Sequence, residues 1–220
     1  AESSFNAGLY AKALLEMMDI CETLGDTKSV KMYKGWYEDI KKAFNDAAWD
    51  GKWWIRWFDK EGNAYGTHKA KYGKIYCNSQ SWSVMSGIAY GERAVMGMDS
   101  LNKLLNTANG VKSSTPGYRG FDGRVGGIST YPPGAKENGG IFLHTNPWVM
   151  IAETILGRGD KAFQYYNQIN PASKNAKLDE FESEPYCYPQ NILGDEHKQF
   201  GMGRNAWLSG TSSWTYQAAT

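Results

Sequence analysis

This chain lacks most of the features that announce a partner. Lysine plus arginine (24) and aspartate plus glutamate (23) nearly cancel over 220 residues, so no net field draws it to nucleic acid or to an anionic membrane surface. That balance points to a small ligand, neutral or locally charged. Cysteine is scarce: Cys21, Cys77 and Cys187 lie far apart and form neither a CxxC pair nor a Cys/His ligand spacing, which argues against a disulfide framework and gives no metal site. There is no signal peptide, and no apolar run nears the roughly 20 residues that a membrane span needs. The expected setting is a reducing cytoplasm. The chain opens on Ala1, without an initiator methionine, and a longer parent is the expectation.

Aromatic residues, by contrast, are plentiful, with 9 Trp and 14 Tyr. Flat apolar rings with polar edges suit sugar rings, and they also fill helical cores. From Phe5 to Leu24, Leu9, Leu14, Leu15, Met17, Met18 and Cys21 recur at helical spacing until Gly25-Asp26, which predicts a helix. Thr27 is placed to cap a second helix, in which Val30, Tyr33, Tyr37, Ile40, Phe44 and Ala47 form the apolar stripe. Two helices on so short a link pair antiparallel. Trp49 to Phe58 is an aromatic, β-favouring run that meets the turn residues Asp59 to Asn63, and a small hairpin is expected there, with Asp50 read as a turn residue.

Asn78-Ser-Gln-Ser-Trp82, Thr145-Asn-Pro-Trp148 and Gly210-Thr-Ser-Ser-Trp214 each set cap-type residues before a Trp that opens a helical stretch, and both intervals between the tryptophans are 66 residues. A period of that length fits one helical hairpin plus a long loop. Repeated hairpins with matched starts predict a toroid whose inner-helix amino termini gather at one mouth, with unpaired N–H groups and positive dipoles that favour anions. The third repeat is short, so a carboxyl-terminal continuation is expected as well.

Three loops carry candidate chemistry. Gly134 to Trp148 holds Lys136, Glu137, Gly139, Gly140 and His144 just before a helix; paired glycines allow close approach of a ligand, and His144 fits either an anion ligand or a structural histidine. Phe181 to Gln190 offers carboxylates, aromatics and an amide for sugar hydroxyls, and Glu182 with Glu184 has the spacing of an acid/base pair or of a solvated loop. Ser209-Gly210-Thr211 offers two hydroxyls and free N–H groups at a helix start, either as a phosphate cradle or as a simple cap. It lacks the lysine of a P-loop.

Glu137 to Trp148, Ala162 to Pro171, Glu184-Pro-Tyr-Cys-Tyr-Pro-Gln190 and Asn205 to Thr211 together resemble glycoside hydrolase family 94. The likeness is dense from Tyr72 to Tyr216 and leans to the branch that cleaves N,N'-diacetylchitobiose over the cellobiose branch, from which Pro189 to Asn191 looks more distant. It implies an all-α, (α/α)6 barrel with a small β-hairpin insertion, the 220 residues being its carboxyl-terminal portion and the amino-terminal β-sandwich and barrel start being absent. It also implies inverting phosphorolysis with no metal or organic cofactor, inorganic phosphate serving as a substrate. By the same likeness His144, Ser209, Gly210 and Thr211 bind phosphate, and Glu137, Gln190 and Lys136 bind sugar. Ser209 stands where cellobiose phosphorylases carry Thr, with the hydroxyl kept. The family's Trp-Asn-Asp stretch, which holds the general acid, does not occur here and is expected upstream of Ala1, so the chain holds no catalytic acid of its own.

In the implied reaction phosphate replaces the base-activated water of an inverting hydrolase, and one carboxylic acid suffices. Cellobiose phosphorolysis, an inverting hydrolase using Glu137, Glu182 or Glu184 as base, and a noncatalytic sugar-binding module are the competing readings. The disaccharide, phosphate, the rest of the parent polypeptide and a second copy in a homodimer are the implied partners.

Overall fold

The computed structural model describes residues 2–220. Helix α1 (Ser4–Thr23) starts at Ser3, whose Oγ accepts from the Asn6 amide at 3.3 Å, and ends before Gly25, whose φ of 73° reverses the chain. Helix α2 (Thr27–Ala47) packs back along it. Its cap is Asp26, which accepts from the amide and hydroxyl of Ser29 at 3.1 and 2.6 Å; Thr27, expected to cap, is the first helical residue instead. A carboxylate accepts the orphan amide and also meets the positive helix end, so it wins over the neighbouring hydroxyl.

The aromatic run that follows forms the expected hairpin, β2 (Trp57–Phe58) against β3 (Ala64–Tyr65), and β1 (Glu2–Ser3) adds a third strand to it. Asp59 fastens the turn by accepting from the amides of Glu61 and Asn63 at 3.0 and 2.8 Å. Asp50 is indeed a turn residue: it takes the amides of Lys52 and Trp53 and, across the loop, the amide and ring of His68.

The remaining long helices are α3 (Cys77–Met85), α4 (Gly91–Leu105), α5 (Thr145–Ile155) and α6 (Gly159–Ile169), followed by the short α7 (Leu178–Phe181) and by α8 (Thr211–Ala219). Their contacts define two rows. Helices α1, α3, α5 and α8 touch in that order, and α2, α4 and α6 back α1, α3 and α5. This is a curved stack of helical hairpins, mostly helical as expected. Where one small hairpin was expected, the described residues hold four small sheets. The others are β4 (Ile75–Tyr76) with β7 (Ser114–Thr115), β5 (Asn106–Thr107) with β6 (Gly110–Val111), and β8 (Ile141–Phe142) with β9 (Pro189–Ile192) and β10 (Gly203–Ala206). These ladders lie in the long connections, where partly buried backbone must pair its polar groups with something.

The tryptophan repeat marks the inner row. Trp82, Trp148 and Trp214 meet edge to face, with ring centroids 5.2 Å apart for Trp82 and Trp148, 5.6 Å for Trp148 and Trp214 and 6.1 Å for Trp82 and Trp214. Phe5 of α1 completes the cluster, 5.5 Å from Trp82 and 5.8 Å from Trp148. In the first two repeats the expected caps do not act as caps, whereas Gly210 of the third stands at the cap position of α8. Ser79, Gln80 and Ser81 lie inside α3, buried, and Ser81, Ser83 and Ser86 return their hydroxyls to backbone carbonyls of the preceding turn. Buried as α3 is, it uses serine as a small packing residue: Ser81 and Ser83 satisfy their hydroxyls locally, and the Ser79 hydroxyl is buried without a partner. Likewise Thr145 donates to the Phe142 carbonyl at 2.8 Å.

Among the described residues no helix is long and apolar enough to cross a membrane, and the three cysteines are buried free thiols. Leu9, Met17 and Ile20 on α1, and Tyr216 on α8, stay exposed at the two edges of the stack.

The close approach of α1 to α3 depends on Gly8, where a Cβ would meet the Trp82 carbonyl oxygen at 3.0 Å. Gly8→Ala is therefore expected to destabilise the fold by about 1–3 kcal/mol through overpacking. Gly35→Ala, in the interior of α2 with nothing within 4 Å, should be neutral or stabilising by up to about 1 kcal/mol. Denaturant melts of the two variants check the contrast, and equal midpoints would refute it.

Candidate functional site

The starts of α1, α3 and α5, with the loop before β8, enclose a cavity of about 270 Å³ whose polar lining includes Arg56, Asn78, Glu137 and His144, beside Tyr76 and Trp148. One wall is the loop from Tyr131 to Gly140, which is held by a set of hydrogen bonds. Asn138, wholly buried, accepts the Tyr118 amide at 2.7 Å and donates to the carbonyls of Tyr118 and Tyr131 at 2.9 and 2.7 Å. Gly140 closes a tight turn on Lys136 and tolerates no side chain, since a Cβ there would meet the Lys136 carbonyl oxygen at 2.5 Å. The Glu137 carbonyl accepts from the hydroxyls of Ser113 and Ser114 at 3.1 and 3.3 Å. With its backbone so fixed, Glu137 carries into the cavity a carboxylate whose Oε2 is buried without a protein partner. A buried acceptor left open is costly unless something else fills it.

His144 stands at the cap position of α5 without making a side-chain cap bond. Its ring meets Phe142 edge-on at 4.7 Å and Trp148 at 5.1 Å. Burial pushes the imidazole below its ordinary pKa, against the opposing pull of the Glu137 charge. At neutral pH the ring is therefore uncharged, with one nitrogen to donate and one to accept.

The other expected site residues lie outside this cavity. Gln190 is on β9, half-buried, its carbonyl accepting from the Leu143 amide at 3.0 Å. Lys136 has a positive φ of 48° and sets its ammonium over the Tyr131 ring, 5.3 Å from the centroid. Ser209, Gly210 and Thr211 lead into α8, which packs on α5, so they stand at the same helix end as His144. Their donors are less free than expected. The hydroxyls of Ser209 and Thr211 bond each other, the Thr211 amide donates to Ser209 Oγ at 3.2 Å, and the Ser209 amide donates to the Trp207 carbonyl at 2.9 Å. A ligand there must exchange with these internal bonds.

Neither Glu182 nor Glu184 lines the cavity. Glu182 is exposed with a positive φ, whereas Glu184 fastens its own turn by accepting from Trp207 Nε1 at 3.3 Å. A backbone hydrogen bond, with help from Trp207, holds its carboxyl below the usual range, the wrong direction for a proton donor.

Three lining residues were not expected at a site: Arg56, Tyr76 and Asn78, the last expected only as a helix cap. Arg56 sits in the aromatic run where a hairpin was the only expectation; the available signal was a lone cation among Trp53, Trp54, Ile55, Trp57 and Phe58. Tyr76 pairs its hydroxyl with that of Tyr118 at 2.8 Å.

All of residues 1–220 match the family model described as glycosyl hydrolase 94 superfamily, catalytic domain. The chain is 36% identical over 221 residues to an N,N'-diacetylchitobiose phosphorylase of Vibrio proteolyticus, covering 100% of this chain and 28% of that protein. It is 34% identical over 181 residues to a solabiose phosphorylase of Paenibacillus borealis, covering 82% of this chain and 24% of that protein. The chain thus spans about a quarter of the length of these relatives. A solved glycosidase in complex with glucose shares the fold, with a TM-score of 0.58 at 11% identity over 100% of this chain and 47% of that one.

Glu137 and His144 share one electrostatic environment, and the sign of their coupling is testable. The Glu137 charge raises the His144 pKa, so Glu137→Gln should lower it further below its ordinary value. Histidine NMR titration of a chain with 3 His resolves this. A midpoint that stays put or rises would separate the two groups.

Proposed function

The chain belongs to the glycosyl hydrolase 94 superfamily, matching its catalytic domain throughout, and on that premise we propose that it is part of the (α/α)6 barrel of a longer inverting phosphorylase that cleaves N,N'-diacetylchitobiose. The observation that carries the reading is the cavity itself, where the open carboxylate oxygen of Glu137 and a neutral His144 meet beside aromatic faces. The 36% identity to a chitobiose phosphorylase supports the choice of substrate. The exposed apolar residues at both edges of the helix stack support a barrel continued by further helices, since large apolar patches call for a cover.

In this reading Glu137 accepts hydroxyl hydrogens of the sugar, with Gln190 and Lys136 assisting from the neighbouring loops. His144 donates to phosphate, and Ser209, Gly210 and Thr211 complete the anion seat by exchanging their mutual hydrogen bonds for bonds to phosphate oxygens. A phosphate oxygen attacks the anomeric carbon from the face opposite the glycosidic bond. That bond breaks, and its oxygen takes a proton from an aspartic acid supplied upstream of Ala1. The products are N-acetyl-α-glucosamine 1-phosphate and N-acetylglucosamine. The chemistry calls for no metal or organic cofactor, and buried free thiols suit a reducing cytoplasm. A homodimer is part of the proposal.

Phosphorus NMR of the full-length enzyme with N,N'-diacetylchitobiose tests the core of this: sugar 1-phosphate should form only when orthophosphate is present. Turnover without phosphate would establish a hydrolase instead. His144→Ala is expected to raise the KM for phosphate roughly tenfold to a hundredfold, the loss of one charge-assisted hydrogen bond, with far less effect on the disaccharide. Glu137→Gln should weaken chiefly the acceptor sugar in the synthetic direction, because an amide accepts through one oxygen only. The 220-residue chain expressed alone should show no phosphorolysis, for want of a proton donor. Turnover by the purified chain would place a catalytic acid within it.

A further inference from the structure

Arg56 lines the same cavity as Glu137 and His144. It reaches this position because β2 follows it directly and β1 pairs with β2, which brings Ser3 and Phe5 to its side. The half-buried residue has its guanidinium near the rings of Phe5, Trp57 and Tyr76, at 5.8, 5.9 and 5.8 Å from their centroids. Of its five N–H donors, one is spent on Ser3 Oγ at 3.0 Å. Among the described residues it has no carboxylate partner, and burial lowers its pKa below the ordinary arginine value. An arginine so enclosed still carries its charge, since even a lowered guanidinium stays protonated at neutral pH.

The other charges of the cavity decide what this cation is for. His144 is neutral there. Glu137 is a carboxylate that repels a second anion. Among the described residues, no other lysine or arginine lines the cavity. Dipoles at helix starts favour an anion only modestly and fall off within a turn. A doubly charged phosphate beside Glu137 therefore needs a fixed cation, and the cavity offers one. A neutral sugar hydroxyl would not need it, and the aromatic rings compensate only part of the cost of keeping a guanidinium out of water.

The geometry points to Arg56 as a phosphoryl-binding residue of this site, presenting its free N–H fork to phosphate oxygens while Glu137 takes sugar hydroxyls. The inference rests on the phosphorylase reading and adds to it the charge that neither His144 nor the Ser209–Thr211 loop supplies. The same oxyanion arrives as inorganic phosphate in the cleavage direction and as the phosphoryl group of a sugar 1-phosphate in synthesis, so both directions should feel the loss of Arg56.

Steady-state kinetics of the full-length enzyme with Arg56→Lys and Arg56→Gln provide the test. Lysine keeps a point charge and loses the planar fork; glutamine loses the charge. The KM for phosphate and the KM for sugar 1-phosphate should each rise about tenfold or more in Arg56→Lys and further in Arg56→Gln, with the KM for disaccharide and for free acceptor sugar changed by less than about threefold. A merely structural role would move all four constants together or leave them alone. If Arg56→Gln fails to fold, Arg56→Lys decides alone, its melting curve confirming the native state. Phosphate and sugar 1-phosphate constants within about twofold of wild type in a folded Arg56→Lys enzyme overturn the inference while the phosphorylase reading stands. Phosphate-independent turnover by the wild-type enzyme overturns the reading, and the inference with it.

Discussion

The edge-to-face cluster of Phe5, Trp82, Trp148 and Trp214 is the contact on which the rest of the molecule depends. Phe5, Trp148 and Trp214 come from the amino-terminal halves of inner-row helices and Trp82 from just past the middle of α3, so bringing the rings together brings four helix starts toward one end. Aromatic pairs of this kind add roughly 0.5–1.5 kcal/mol beyond the burial of their area. The cluster accepts a penalty as well, because the indole N–H groups of Trp82 and Trp148 are buried without partners. Packing outweighs that penalty only because the helices approach closely, which Gly8 and the serines of α3 permit.

At the mouth built in this way, the loops differ in how much freedom they keep. The Tyr131–Gly140 loop is fixed by Asn138, by the turn at Gly140 and by two serine hydroxyls on the Glu137 carbonyl. A ligand that meets Glu137 finds a group already aimed and unsatisfied, so little ordering is lost on binding. The Ser209–Thr211 loop is satisfied within itself, and a ligand there gains only the difference between old and new hydrogen bonds. A ligand at Glu137 therefore meets a preorganised group, whereas one at the hydroxyl loop must displace internal bonds.

Much of this frame was legible in the residues. Apolar spacing marked α1 and α2, Gly25 marked their turn, and the equal tryptophan intervals marked three members of the inner row. What misled was local chemistry read without its surroundings. Asn78 to Ser81 look like helix caps because such residues usually are, yet full burial of α3 turns the serines into packing residues. Glu182 and Glu184 look like a catalytic pair until Trp207 is seen to occupy Glu184. Arg56 was missed for a related reason: its partner Ser3 is 53 residues away in sequence. No window along the chain shows the cage of rings around it. Glu137 and His144 stood out as candidates because Gly139, Gly140 and a helix start lie beside them in sequence, although the bonds that hold their loop come from Ser113, Ser114 and Tyr118.

The charges of the cavity follow from the same construction. One fixed cation, one fixed carboxylate and one neutral imidazole line a space of about 270 Å³. Two opposite charges line the cavity without pairing with each other, so each keeps capacity for a ligand. They also ask for a ligand that is itself divided, with hydroxyl donors at one end and an oxyanion at the other. A neutral His144 serves that division better than a charged one would. Neutral, the ring does not compete for the open Glu137 oxygen and keeps one nitrogen to donate. Burial among Phe142 and Trp148 keeps it neutral. The aromatic packing that assembles the mouth therefore also biases the His144 ring toward its neutral form.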